Sequence, residues 1–282
     1  MKGGPFPIGN SGLPKSFPTI TCPLRGKKTI IEAAIKRDRV VVATGLTLIT
    51  VLAWGYTIYL ANNMAMISRE MAMMRPWSAR DFVLMYVMWA VMMVAMMVPS
   101  AAPMVLIFAA VYRKRREQGG AFVPTGVFLT GYLLVWSAFS LAAVLSQYGL
   151  QRVALVSPMM ETTAPWLGAA LFAAAGAFQF MPLKEACLAK CHTPMGFIMT
   201  EWREGSRGAF VMGLRHGAYC TGCCWALMAL LFVGGVMNLL WVAVIAAFVL
   251  VEKVVPRGLW VSRISGLLLI LWGAWMLVGA LG

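Results

Sequence analysis

The soft donors of this chain are unevenly placed. Apart from Cys22, every cysteine lies between positions 187 and 224, and both histidines sit among them. In PLKEACLAKCHTP, Cys187 and Cys191 stand four residues apart, with His192 next in line. Positions i and i+4 share a helix face, so the two sulfurs can meet one ion. In LRHGAYCTGCCWALM, His216 and Cys220 repeat that spacing, and Cys223 and Cys224 follow one turn on. Gly217 and Gly222 on the same stretch permit close approach of another element. Thiolates and imidazoles in such numbers suit a four-coordinate site for a soft or borderline transition metal. Cys22, alone, is read as a small apolar side chain.

Methionine is the second anomaly, 22 residues in all. In DFVLMYVMWAVMMVAMMVPSAAPM, Met85, Met88, Met92 and Met96 step along one helical face, flanked by Met93 and Met97. Thioethers are uncharged ligands that select copper(I), and they need no deprotonation inside lipid. The same stripe also serves as flexible packing. Pro99 and Pro103 are expected to break the helix and free backbone carbonyls, so the segment should face a bundle interior. Met64, Met66, Met71, Met73 and Met74 form a further group just before it. The resulting order, thioethers first and then thiols with imidazoles, suits capture and inward transfer of a soft monovalent ion, or its retention.

The elements that must position these donors are membrane helices. The 282 residues are 61% hydrophobic and 12% charged, against roughly 45–50% and about 25% in globular proteins. This excludes a soluble enzyme, a secreted disulfide scaffold and a disordered tail protein. Apolar windows of about 20 residues give seven spans: Val40–Leu60, Phe82–Tyr112, Phe122–Ser146, Pro165–Met181, Ala209–Val233, Met237–Val251 and Leu259–Leu281. The fourth and sixth are the shortest, which makes the count six or seven. Fold class is all-α, a polytopic helical bundle over residues 39–282. Residues 1–38 form a basic tail, read as disordered from its glycines and prolines, and no signal peptide is apparent. The Pro182–Gly208 segment reads as an amphipathic helix on the inner surface, or one that folds back inward.

Net charge is +14, but the basic residues flank apolar runs, so their partner is the bilayer surface rather than nucleic acid. On alternate loops one side keeps only Arg69, Arg75, Arg80 and Arg152, which puts the N-terminus in the cytoplasm. The clustered cysteines then lie toward a reducing compartment, which favours metal over disulfide. Arg215 is the one formal charge well inside a span, expected either to snorkel inward or to pair with a neighbour such as Glu201 or Glu204. Glu252 and Lys253 are expected at the interface, and Asn238 as a bridge between helices. No run of intramembrane carboxylates and no nucleotide motif occurs.

Four blocks taken together resemble a known family: the MMxxMMxPxxxP pattern over Met92–Pro103, PLKxxCxxxC over Pro182–Cys191, GLRHGxYCxGCCWALM over Gly213–Met228, and GVMNLLW with a later EK over Gly234–Lys253. Over about Asp81 to Lys253 the chain is similar to bacterial domain-of-unknown-function proteins, predicted metal-binding integral membrane proteins. The resemblance implies a multi-pass protein of the bacterial inner membrane that binds metal, with no reaction attached.

The sequence is thus read as a helical-bundle membrane protein that binds a soft metal, copper(I) ahead of zinc. It would handle or deliver the ion, or carry it as a subunit of a membrane complex. Its ligands are expected among Cys187, Cys191, His216, Cys220, Cys223 and Cys224, with His192, Met92 and Met96 in support. Two other readings stand beside this one: a membrane thiol–disulfide oxidoreductase using the Cys220/Cys223/Cys224 cluster, and a non-catalytic structural subunit. Whether the two cysteine groups make one site or two is open at this level.

Overall fold

The structure is a computed structural model that describes residues 24–63, 77–119, 123–155 and 164–281. Cys22, the tail before residue 24, and Met64, Met66, Met71, Met73 and Met74 lie outside the described residues. The chain divides into units at Met1–Arg37 and Asp38–Gly282. Within the first, the described residues are helical from Leu24, inside the stretch that composition assigns to a tail.

Among the described residues all regular structure is helical. The helices are α1 (Leu24–Asn62), α2 (Ala79–Glu117), α3 (Thr125–Arg152), α4 (Pro165–Phe178), α5 (Pro182–His192), α6 (Pro194–Glu201), α7 (Gly205–Ala229), α8 (Leu231–Gly234), α9 (Leu239–Val254) and α10 (Gly258–Leu281). Five stretches are long and apolar enough to cross a membrane: Arg39–Asn62, Ala79–Glu117, Thr125–Arg152, Gly205–Gly234 and Gly258–Gly279. The pair α4 and α5, bent by 64°, makes a sixth if counted as one broken span. The expected sixth span is α9, whose 16 residues reach about 24 Å at ~1.5 Å each, short of a core of about 30 Å. Among the described residues, length and composition support five spans, or six with the bent pair counted as one.

Local signals explain the helix ends. Ser78 and Asp81 form a capping box at the start of α2, Ser78 N donating to Asp81 Oδ2 at 2.8 Å. Asn238 caps α9 by accepting from Trp241 N at 3.3 Å, so it closes its own helix instead of bridging two. Proline at the first position of α5 and of α6 separates these short helices, because the residue before proline is driven out of helical geometry. Gly205 takes φ +73° where α7 begins.

Pro99 and Pro103 lie inside α2 without ending it. The carbonyl that Pro99 leaves without its usual donor is that of Ala95, and Trp54 Nε1 donates to it at 3.1 Å. An indole from α1 thus replaces the missing backbone donor.

Where water is absent, helix association depends on close backbone approach and on polar pairs. Helices α3 and α7 meet at two glycines. A β-carbon on Gly131 would strike the Phe210 carbonyl, and one on Gly213 the Phe128 carbonyl. Helix α5 packs along α7, and α9 closes against α2. The buried core between them includes Met92, Met96, Trp136, Cys220 and Cys224. By contrast α1 and α10 leave Leu52, Tyr59, Leu268, Trp275 and Val278 exposed.

Candidate metal centre

The cysteine-rich stretch of α7 is helical, and His216, Cys220, Cys223 and Cys224 are all buried on it. The i, i+4, i+7 and i+8 spacing turns them to one side, as helix geometry requires. Helix α5 supplies the other thiols. A β-carbon on Gly222 would lie 2.8 Å from the Cys187 sulfur, so Cys187 occupies the space that this glycine leaves open. One turn later the Cys191 thiol is directed at the sulfur of Cys223. The bend after α4 folds α5 back inward, so the two cysteine groups form one pool. All five described cysteines are free thiols.

Four groups close around Cys220. The Tyr132 hydroxyl lies 3.1 Å from its sulfur and donates to the Met97 carbonyl at 3.1 Å. The thiols of Cys223 and Cys224 lie 3.1 and 2.9 Å from the Cys220 carbonyl. Lys253 Nζ donates to Cys220 Sγ at 2.8 Å and to Ser100 Oγ at 3.3 Å.

Lys253 is therefore part of the site, and the sequence reading missed it. The expectation that Glu252 and Lys253 are interfacial is corrected: both are buried. Glu252 pairs with Lys184 at 2.7 Å, with both side chains fully buried. The available signal was the placement of an adjacent acid and base at the end of an apolar run, since ionisable groups near membrane depth are costly unless used. Arg215 pairs with Glu201, one of its two expected partners, while Glu204 pairs with Arg115.

The histidines stand at one edge of the pool. The His216 ring lies 6.0 Å from Phe128, 5.6 Å from Tyr132 and 5.5 Å from Phe197. Its Nδ1 has no hydrogen-bond partner among the described residues. His192 rests on Gly258, and its Nε2 is likewise unpartnered. Both rings, with Cys191, Met104, Ser100 and Lys253, line a cavity of about 170 Å³. A buried polar atom without a partner is costly, so these nitrogens suit a ligand that supplies the missing contact. Among the described residues, however, no three side chains of Cys, His, Asp or Glu form a ready ion cage. The donors are pooled, and side chains must turn for an ion to be held.

The methionine stripe faces inward. Met85, Met88, Met92, Met93, Met96 and Met97 are all buried, in the same core as Cys187, Cys220, Cys223 and Cys224. The stripe ends at Met97, whose carbonyl is tied through Tyr132 to Cys220. Thioethers and thiols thus share one buried core.

No curated protein and no solved structure matches the chain. Residues 86–276 match the family PpoB2, described as copper chaperone. The match includes the methionine stripe from Met88 onward, both cysteine groups, both histidines and Lys253. Since it spans well over half of the sequence and every element of the site, this chain belongs to the copper chaperone family PpoB2.

Proposed function

We propose that the protein is a multi-pass bacterial inner-membrane protein that takes up copper(I) as cargo, holds it in the sulfur pool of α5 and α7, and passes it on. Zinc is the second choice of ion. The observation that carries this reading is the convergence of Cys187 and Cys191 with Cys220, Cys223 and Cys224 in one buried cluster. Packing alone does not require two helices to direct their thiols at each other. Thiolate and thioether ligands favour copper(I), and the family description names the same metal.

Met92 and Met96 are the proposed approach from the outer half of the bundle, with His192 and His216 as donors on the cytoplasmic side. This direction rests on a cytoplasmic N-terminus, supported by the bias of lysine and arginine between alternate loops. The exposed apolar faces of α1 and α10 suit contact with lipid chains or with another subunit of a membrane complex. A seventh span would require α9 to cross despite its length, with neighbouring helices or a thinner bilayer around it.

Elemental analysis of the full chain, purified in detergent under anaerobic, reducing conditions, tests the reading. Wild type is expected to carry copper. Cys220→Ser should weaken copper binding at least ~100-fold, since even outer-shell changes cost about 10–100-fold. Cys187→Ser should lower it less. A copper-free wild type whose thermal stability does not respond to added copper(I) would overturn the proposal. A reversible disulfide in copper-starved cells would favour the oxidoreductase reading instead.

A further inference from the structure

We infer that Lys253 sets the charge of the ion this site accepts, admitting a monovalent soft cation and discriminating against a divalent one. The inference rests on the copper-handling reading above. Soft ligands alone do not make that choice, because thiolates bind both copper(I) and zinc(II).

The buried charges make the distinction. Lys253 is nearly fully buried, and its Nζ contacts Cys220 Sγ and Ser100 Oγ. No carboxylate pairs with it among the described residues. The acid next to it in the chain, Glu252, is taken by Lys184. The other groups around the adjoining cavity are the two imidazoles, the Cys191 thiol and the Met104 thioether, none of which supplies a fixed negative charge.

A thiol that ligates a metal gives up its proton. In a two-sulfur site, Cys220, bonded to Lys253, and Cys223, one turn along, together bring two negative charges when both are ligated. With the ammonium of Lys253 the protein part of the site then carries one negative charge in total. A monovalent ion completes a neutral, fully buried assembly. A divalent ion leaves one uncompensated positive charge where desolvation is expensive. Charge therefore discriminates between ions that the sulfurs do not separate.

The experiment measures copper(I) and zinc(II) affinity of the full chain in detergent by chelator competition, under reductant and without oxygen. The readout is the ratio of the two affinities. Lys253→Met is expected to lower the copper-to-zinc ratio by ~10-fold or more, because removing a unit charge a few ångströms away acts through a weakly screened interior. Ser100→Asp keeps the lysine but cancels its charge from 3.3 Å, and should move the ratio the same way. Ser100→Ala, which removes the hydroxyl without adding charge, should move it far less than Ser100→Asp.

Should Lys253→Met fail to fold, Ser100→Asp against Ser100→Ala decides. An unchanged ratio in the charge-altering variants, or an equal fall in Ser100→Ala, overturns the role of Lys253 while leaving the copper reading intact. Wild type that binds neither ion overturns both.

Discussion

Among the described residues, two buried lysines meet different partners. Lys184 on α5 faces the Glu252 carboxylate at 2.7 Å, and neither side chain reaches solvent. Lys253, the next residue after that glutamate, faces the sulfur of Cys220 at 2.8 Å. The first pair is closed: charge meets opposite charge, and α5 is tied to α9. The second is open to change, because the charge on sulfur depends on what the sulfur binds. Lys184 clamps the thiol-bearing helix in place, whereas Lys253 faces a sulfur whose charge changes when it binds an ion. Glu252 and Lys253 are adjacent on α9 yet face different partners, because successive helical residues point about 100° apart.

Breaking the clamp should give the largest effect on stability. Lys184→Met leaves Glu252 buried without a counter-charge, which costs about 3–5 kcal/mol in comparable cases. Thermal unfolding in detergent should show this, and the double variant with Glu252→Leu should recover most of the loss. If the single variant is as stable as wild type, the pair is not a clamp.

A change between the two regions should have a middle-sized effect. Gly222→Ala puts a β-carbon 2.8 Å from the Cys187 sulfur, an overpacking that costs about 1–3 kcal/mol. It should displace Cys187 from the pool and lower copper loading, while Lys253 keeps its contact. Melting temperature and copper stoichiometry, measured on one preparation, would show whether the two changes occur together.

The smallest stability effect is expected in the stripe. Met92→Leu and Met96→Leu conserve volume and should each cost less than ~1.5 kcal/mol. They remove thioethers, though, so the rate of copper(I) loading should fall while the final occupancy holds. An unchanged loading rate would reduce the stripe to packing.

Much of the architecture was legible in the residue pattern. Apolar windows located the long helices, and the i, i+4 spacing of His216 with Cys220 and of Cys187 with Cys191 identified their shared faces. The proline reading erred at α2 because the rescue of Ala95 comes from Trp54, 41 residues away. Asn238 was misjudged for the opposite reason: its partner is local, three residues on. Lys253 was missed because a charge at the end of an apolar run looks the same whether it meets headgroups or turns into the bundle. The meeting of Cys187 with Gly222 was not legible either, since it depends on the bend between α4 and α5.

By itself the sequence determined that this chain is helical, with stretches of membrane length, and which residue types could hold a soft ion. These follow from composition and from a period of about 3.6 residues, both local properties. Tertiary structure alone decided that thiols from two helices share one pool, that the methionines are buried in the same core, and that Lys184 meets a carboxylate while Lys253 meets a sulfur. Such facts depend on distances between residues far apart in the chain, and those are set by how helices cross and bend.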